Sequence, residues 1–214
     1  MTISSQNSSP EPRAPQRARG RARVAALLAA AGEVFAARGF DAATMTEIAA
    51  RAGASIGSLY QFFPTKMLLA EALVGDYADA LGERLVAVEM VADQLDPAAL
   101  GRRLALLLAQ FRAEHPAFLA LAATPAAASQ RGGALRARLR HQVAAILQRR
   151  APALPDARIQ AMAVAVLQLM KAAADLQTEP GLDAKDAALG EIEEMLRHYL
   201  ALHLRVVTGG SVQL

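Results

Sequence analysis

The side chains that most often carry out covalent chemistry are scarce in this sequence. It holds no cysteine among its 214 residues, which excludes thiol nucleophiles, thiolate metal sites and disulfide bonds. It has no glycine-rich phosphate loop and no histidine–carboxylate pair at metal-ligand spacing, so neither a cofactor nor a metal is expected. Glu191, Glu193 and Glu194 near His198 have the spacing of a solvated helix face. The sequence therefore argues against an enzyme.

The clearest binding chemistry lies in a short segment that begins at Ser55. Ser58, Tyr60 and Gln61 can donate or accept hydrogen bonds, and Gly57 permits close backbone approach. Two apolar residues one helical turn apart, at positions 59 and 63, can hold the opposite face against a core. A short helix of this kind can enter the major groove of DNA and reach base edges.

Two further helices are predicted to position this segment. Thr44-Met-Thr-Glu47 has the form of a capping box, and the helix that it begins ends before a turn at Gly53-Ala54. Ser55 then caps the next helix, and the pair forms a helix-turn-helix unit. A preceding helix from about Arg19 to Arg38 has one apolar face and stops at Gly39.

Positive charge is concentrated at the amino-terminal end. The formal net charge is +3, but residues 1–66 carry eight Lys/Arg against four Asp/Glu, whereas the remainder carries fifteen against sixteen. Residues 1–17 hold too few apolar groups to fold and are predicted to form a disordered basic arm. Arg19 and Arg21 at its end are candidates to contact phosphate or the minor groove, and a solvated tail is the alternative.

The string from Gly39 to Lys66 resembles the DNA-binding domain of the tetracycline-repressor (TetR/AcrR) family. The matching positions are Gly39-Phe40, Thr44, Glu47-Ile48-Ala49, Ala52-Gly53-Ala54-Ser55, Gly57, Leu59-Tyr60, Phe63 and Thr65-Lys66. The resemblance covers about residues 20–70. It implies an all-α protein with a three-helix DNA-binding domain, followed by helices that bind an effector and dimerise. Ala54, Phe62 and Thr65 depart from the usual residues, and Phe62 replaces a His or Tyr that would contact phosphate.

The expected DNA contacts divide into base readers and phosphate contacts. Ser58 and Gln61 are the candidate base readers, and Ile56 is a candidate contact for a thymine methyl group. The resemblance implies phosphate contacts from Thr44, Thr46, Tyr60 and Lys66, and Ser55 and Gly57 complete the predicted surface. The alternatives are pure capping for Thr44, a packing ring for Tyr60 and shielding of the helix edge for Ile56.

Proline and glycine clusters divide the rest of the chain into predicted helices. They lie near 66–91, 97–114, 116–123, 133–150, 156–178 and 183–207. The predicted organisation is the arm at 1–17, the DNA-binding domain at 18–65 and an effector-binding and dimerisation domain at 66–214. No membrane span is predicted, because the longest uncharged run, 115–130, is short and contains two prolines.

The last two predicted helices are apolar over more than one stripe. Such helices pack on their own core and on a second surface, so we expect a homodimer joined through an intersubunit four-helix bundle. A monomer with a thicker core is the alternative. The residues assigned to the dimer interface are Ile159, Met162, Val166, Leu169, Ile192, Leu196, Tyr199 and His203; outside this stripe lie Val164, Leu167, Met195, Leu200 and Leu202.

An effector pocket is expected among the helices of residues 66–178. Mostly apolar walls with a few polar groups suit a small hydrophobic ligand. The residues assigned to the pocket are Gln110, Phe111, His115, Phe118, Gln142, Met162 and Gln168, and Met67 and Met170 are further candidates. Each polar residue of the set also fits a surface position or a satisfied core position.

These features predict a ligand-responsive transcriptional regulator, with repression as the expected direction. Its expected partners are double-stranded operator DNA of pseudo-palindromic sequence, an unidentified small hydrophobic effector and a second copy of itself, with no membrane. The expected location is the cytoplasm, with association to the nucleoid when DNA is bound. The alternative is a DNA-binding protein of the same fold without an effector, acting as an architectural or partner-recruiting factor.

Overall fold

The computed structural model describes residues 14–122, 124–179 and 181–204, and within these ranges the chain is helical with no strand. The helices are α1 (Ala14–Ala42), α2 (Met45–Arg51), α3 (Ile56–Phe62), α4 (Lys66–Glu89), α5 (Pro97–Glu114), α6 (Pro116–Ala122), α7 (Pro125–Ala128), α8 (Gln130–Arg150), α9 (Asp156–Thr178) and α10 (Lys185–His203). The all-α fold predicted from the sequence is confirmed. We call α1–α3 the DNA-binding unit and α4–α10 the sensor helices, after the roles that the resemblance implies.

The first helix is longer than predicted. It begins at Ala14 rather than near Arg19, so the last four residues of the expected arm are helical, while residues 1–13 lie outside the described ranges. Alanine and arginine dominate this stretch, and both favour helices strongly. Gly39, with φ 74° and ψ 171°, interrupts the helix as predicted. Phe40 then turns back so that its ring lies 5.8 Å from that of Phe35.

The helix-turn-helix forms through the predicted caps. The Thr44 hydroxyl accepts from the Glu47 amide at 3.2 Å, and the Thr44 amide donates to the Glu47 carboxylate at 3.3 Å. After the turn at Gly53, with φ 59°, Ser55 Oγ accepts from the Ser58 amide at 3.2 Å. These bonds satisfy amides at the starts of two helices that are too short to be stable alone.

Prolines begin several of the sensor helices, because a first-turn residue needs no amide donor. Pro97 follows Asp96, whose carboxylate accepts from the Ala99 amide at 2.7 Å. One predicted break is wrong: Gly132-Gly133 lies inside α8, because Ser129 caps this helix by accepting from the Gly132 amide. The short helix α7, which precedes this cap, was not predicted.

Helix α5 is the centre of the sensor core, and it packs against both α9 and α10. An added Cβ on Gly101 would lie 3.0 Å from the Arg197 backbone nitrogen, so α5 and α10 approach closely there. Helix α8 packs against α4 and α9, and α6 packs against α1. The DNA-binding unit and the sensor core are therefore joined by two contacts, one through α4 and one through α6.

Helix α9 is apolar enough to cross a membrane by length and composition, with a mean hydropathy of 1.4 over Asp156–Gln177. The sequence prediction missed this because it considered only uncharged runs. In the structure α9 packs against α5, α8 and α10, which is the position of a core helix.

Candidate DNA-binding surface and effector cavity

Helix α3 has one buried face and one exposed face, as predicted. Leu59 is fully buried and Phe63 is 8% exposed, and α3 packs against α2. On the other side, Tyr60 is 49% exposed and Gln61 is exposed, while Ser58 is half-buried. An added Cβ on Gly57 would meet no atom within 4 Å. The exposed side of α3 thus offers hydrogen-bonding groups and an open stretch of backbone.

The other residues predicted to contact DNA near α3 differ in exposure and in hydrogen bonding. Thr46 at the start of α2 is exposed, and Ile56 is 40% exposed at the start of α3. The hydroxyls of Thr44 and Ser55 both act as helix caps, so capping is their structural role. Phe62 is also exposed, at 39%.

Lys66 does not have the environment expected for a phosphate contact. Its ammonium group donates to the backbone carbonyls of Asp41 and Ala43, each at 2.9 Å, and lies 4.7 Å from the centre of the Phe40 ring. Two of its three donors are therefore used within the chain. Lys66 links the start of α4 to the end of α1, where carbonyl groups carry partial negative charge.

The amino-terminal arginines differ in their surroundings. Arg38 forms an ion pair with Glu47 at 3.6 Å, and Arg51 forms one with Glu33 at 3.2 Å. Both pairs join α1 to α2 at the surface, where such pairs contribute little to stability. Arg19 and Arg21 are exposed on α1. They remain the candidates for phosphate contacts beside α3.

A cavity of about 210 Å³ lies among α4, α5, α6, α8 and α9. Its walls are mostly apolar, formed by Val74, Leu81, Leu85, Leu108, Phe118, Leu121, Leu135, Leu139, Leu167 and Met170. Leu81 and Leu85 bring α4 to the cavity, and Met170 lines it as predicted. Val88 of α4 is buried but does not line the cavity.

Of the seven residues assigned to the pocket, Phe118 alone lines this cavity. Gln110 and Gln168 point away from it and are exposed. Met162 is fully buried among other core side chains, and Gln142 donates to the Gly82 carbonyl at 3.3 Å, joining α8 to α4. Met67 is half-buried near the start of α4 and does not line the cavity. The residues at 111 and 115 belong to an aromatic cluster beside the cavity.

This aromatic cluster consists of Tyr77, Phe111, His115 and Phe118. The Phe111 ring lies 5.6 Å from Phe118 and 4.4 Å from His115, and the Tyr77 ring lies 6.0 Å from Phe118. The Tyr77 hydroxyl approaches α1 so closely that a Cβ on Gly32 would lie 3.0 Å from it. Burial raises the pKa of this hydroxyl, as does Asp76. The cluster therefore forms a continuous contact between a cavity wall and the DNA-binding unit.

Among the described residues, three cationic side chains interrupt the apolar wall: Arg112, Arg136 and Lys171. The sequence prediction missed all three because it searched for uncharged polar residues and histidines. A signal was present in the sequence. Arg112 follows Leu108 by four residues, and Lys171 follows Leu167 by four residues, so each charge falls on an apolar helical stripe.

The predicted dimer residues lie mostly in the core of the single chain. Ile159, Met162, Val166, Ile192 and Leu196 are each at most 7% exposed, because α5 covers the inner faces of α9 and α10. Leu169, Tyr199 and His203 are half-buried. The exposed apolar residues are Val164 (45%), Met195 (50%) and Leu202 (63%). The apolar face available to a partner is therefore the outer stripe of α9 and α10, which includes Leu169 and Tyr199 of the predicted set but not its five buried residues.

Comparison with known proteins identifies two matching family models. Residues 27–73 match the model "Bacterial regulatory proteins, tetR family", and residues 96–200 match "Tetracyclin repressor-like, C-terminal domain". A curated relative, the HTH-type transcriptional activator FasR of Mycolicibacterium smegmatis, is 51% identical over 55 residues. This match covers 26% of the chain, and the chain spans only about a quarter of that relative's length.

Solved structures extend the likeness over most of the chain. A TetR-like transcriptional regulator from Rhodococcus sp. RHA1 has a TM-score of 0.58 at 26% identity, covering 90% of this chain and 99% of its own. NalD of Pseudomonas aeruginosa, the secondary repressor of the MexAB-OprM multidrug efflux pump, has a TM-score of 0.56 at 19% identity, covering 84% and 96%. The helix-turn-helix with its capped helices, the helical sensor core and the matches to both family models lead to one assignment: this chain belongs to the TetR family of DNA-binding transcriptional regulators.

Proposed function

We propose that this protein is a ligand-responsive repressor that binds a pseudo-palindromic operator as a homodimer and releases it when an effector fills the sensor cavity. The observation that carries the proposal is that one chain combines an exposed polar face on α3 with an apolar cavity whose walls include α4 and α6. Both of these helices also contact α1. The proposed place of action is the cytoplasm, where the operator DNA lies.

DNA recognition is proposed to use the exposed side of α3. Ser58 and Gln61 would read base edges, while Thr46, Tyr60 and the arginines at 19 and 21 would contact phosphates. A single bidentate contact from Gln61 would contribute roughly 1–3 kcal/mol of base discrimination. Gly57 would let the helix backbone lie close to the groove.

Dimerisation is proposed through the outer stripe of α9 and α10. Val164, Met195 and Leu202 would be covered by the same residues of a second copy, as the symmetry of a two-fold interface requires. Two recognition helices related by a two-fold axis read two inverted half-sites. The half-site centres are expected about one helical turn apart or a small multiple of it.

Release is proposed to follow from movement of α4 and α6 together. A ligand in the cavity touches Leu81 and Leu85 of α4 and Phe118 of α6, so it can change the separation of the two recognition helices. A hundredfold preference of the ligand for the widely spaced state shifts the equilibrium by about 2.7 kcal/mol. The two contacts with α1 give the coupling a physical route.

Both directions of regulation occur among the similar proteins. The Mycolicibacterium smegmatis relative is named an activator, and the Pseudomonas aeruginosa protein is named a repressor. We propose repression because occlusion of a promoter requires only DNA binding. Activation would require a further contact with the transcription machinery.

The proposal is tested by selecting bound sequences from a random DNA pool with the full-length protein. Inverted half-sites with one or a few helical turns between their centres are expected, and selected sites without two-fold symmetry would contradict the dimer. The selected operator then serves in a screen for small molecules that lower its affinity. A molecule that occupies the cavity and leaves operator affinity unchanged would favour a TetR-fold protein without effector control.

A further inference from the structure

The sensor cavity has an apolar body and a cationic side. Ten apolar side chains form most of its wall, while Arg112 of α5, Arg136 of α8 and Lys171 of α9 also line it. Because these three residues come from three different helices, the positive charge is assembled by the fold and not by a local charge run. Within the part of the chain that the structure describes, no carboxylate lines this cavity.

Arg112 is the most deeply buried of these cations. Its side chain is 9% exposed, and one end of its guanidinium forms an ion pair with Asp175. The Nε atom is buried and has no acceptor among the described residues. A buried N–H donor without an acceptor is costly, and a charged donor more so. Arg112 therefore holds, at the cavity wall, one charged donor that makes no hydrogen bond among the described residues, and a ligand reaches this buried atom only if the side chain turns toward the cavity.

Lys171 has more positively charged than negatively charged groups around it. Burial lowers the pKa of its ammonium group, and the neighbouring Arg136, Arg140 and Arg112 lower it further. Asp175 is the one anion that acts in the opposite direction, and this aspartate already pairs with Arg112. Among the described groups that act on Lys171, three arginines repel its charge and Asp175 attracts it, so a second anion at this point would relieve the repulsion.

We propose that the effector is an apolar monocarboxylate, whose hydrocarbon part occupies the cavity and whose carboxylate is bound by Arg112 Nε and the Lys171 ammonium group, with Arg136 adding charge. This inference rests on the proposed role of the cavity as the effector site. The anion supplies the acceptor that Arg112 lacks and the negative charge that the cluster lacks. The cavity volume, about 210 Å³, is below the roughly 300–1,000 Å³ of most ligand sites, which favours a compact or short-chain acid.

The first test compares head groups by calorimetric titration of the full-length protein. The probes are hexanoate, octanoate and decanoate, with the primary alcohol and the primary ammonium ion of each chain length, all below their aggregation concentrations. We expect each carboxylate to bind at least about tenfold more tightly than its alcohol, because charge-assisted hydrogen bonds are lost with the alcohol. Affinity should also rise about fourfold for each added methylene until the cavity is full.

The second test removes the charge from the site. Lys171→Met is expected to lower octanoate affinity about tenfold or more, and Arg112→Lys to lower it by a similar factor by removing the Nε donor. Lys171→Met is also expected to retain or raise the unfolding temperature of the free protein, because it removes a charge from a cationic cluster. The matched control is Lys185→Met on α10, which does not line the cavity and should leave octanoate binding unchanged.

The outcomes separate this inference from the proposed function. Equal or tighter binding of the alcohols or ammonium ions, or no binding of any carboxylate at millimolar concentration, would overturn the carboxylate assignment. So would a Lys171→Met protein that binds octanoate like the wild type. Operator affinity is measured in parallel with each probe. A carboxylate that binds through Lys171 without changing operator affinity would support the ligand class and contradict the ligand-controlled release.

Discussion

At the scale of single residues, the side chain of Lys66 connects α4 to the DNA-binding unit. It is the first residue of α4, yet its ammonium group donates to the carbonyls of Asp41 and Ala43 at the end of α1. The Phe40 ring beneath it adds a cation–π contact. The position of α4 relative to α2 and α3 therefore depends on this residue.

The first prediction concerns Lys66→Met, which keeps the aliphatic part and removes the donors. We expect the free energy of unfolding to fall by about 1–3 kcal/mol, because charge-assisted hydrogen bonds to two carbonyls are lost. Urea denaturation measures this, with Lys185→Met as the control. Base preference in the selected operator should be unchanged. An unchanged stability together with a lower salt dependence of DNA binding would instead assign Lys66 to phosphate contact.

The second prediction separates stability from DNA binding at Gly57. A Cβ at this position meets nothing in the protein, and the residue lies in a helix, so Gly57→Ala should stabilise the fold by about 0.4–1 kcal/mol. If the α3 backbone lies against the groove, the same methyl group should weaken operator binding. Gly75→Ala in α4 also meets no atom and is the control for stability alone. Operator affinity that is equal in both variants would place the α3 backbone away from DNA.

Residue-level prediction succeeded where local chemistry decides the structure. The Thr44–Glu47 capping box and the Ser55 cap follow from hydrogen bonds within four residues of sequence, and both are present. The positions around the cavity could not be predicted in this way. Arg112 lines the cavity only because α6, α8 and α9 surround that part of α5. Such an arrangement depends on residues far away in the sequence.

At the scale of elements, α4 and α6 form a pair that links the cavity to α1. Their contact is strengthened by the aromatic cluster, in which Tyr77 of α4 lies 6.0 Å from Phe118 of α6 and touches α1 near Gly32. Helix α6 was predicted within one residue of its bounds, but its packing against α1 follows from the tertiary fold.

The third prediction concerns Tyr77→Leu, which removes the ring that joins Phe118 to α1. Tyr77 does not line the cavity, so the affinity of the protein for its ligand should stay within about threefold of the wild type. The change in operator affinity that the ligand causes should be much smaller in this variant than in the wild type. Ligand affinity is measured by calorimetric titration, and operator affinity by fluorescence anisotropy of labelled operator over a ligand series. A variant that retains the full ligand effect would exclude the aromatic cluster from the coupling.

Element boundaries were predicted correctly at the capped starts of α2 and α3 and at the starts of α5 and α6, which prolines mark. The predicted break at Gly132-Gly133 is wrong because glycine in a first turn is tolerated when a serine caps the helix. The choice between two apolar stripes on α9 and α10 could not be made from periodicity, because both stripes repeat every three or four residues. Packing against α5 decides which stripe is buried.

At the scale of the whole molecule, the outer faces of α9 and α10 form an apolar surface that the single chain leaves exposed. A shallow groove there is lined by Leu169, Met195 and Tyr199 together with Glu191, Glu194 and His198. Arg197 binds Glu194 at this surface and lowers the pKa of the carboxylate. An apolar centre with charged neighbours is typical of protein–protein interfaces.

The fourth prediction tests this surface with Met195→Asp. Met195 is 50% exposed, so the substitution should leave the fold of the single chain intact while introducing a charge at the proposed interface. We expect dissociation to monomers in sedimentation experiments and a large loss of affinity for a two-half-site operator. Affinity for an isolated half-site should change little. The matched comparison is Ile192→Asp, which buries the same charge in the core and should unfold the chain.

The bonds made by Lys66 also set where this chain could be cut for domain exchange. A hybrid regulator that joined residues 14–65 to the sensor helices of another protein would lose the bonds to Asp41 and Ala43 unless the new partner supplied a lysine in the same place. A junction after Lys66 keeps this lysine together with the carbonyls of Asp41 and Ala43 that it binds. The surface where α6 meets α1 would still have to be transplanted or redesigned, because it crosses any junction made at this point. We therefore expect an engineered biosensor built from this chain to keep its response only when both the Lys66 hydrogen bonds and the contact between α6 and α1 are retained.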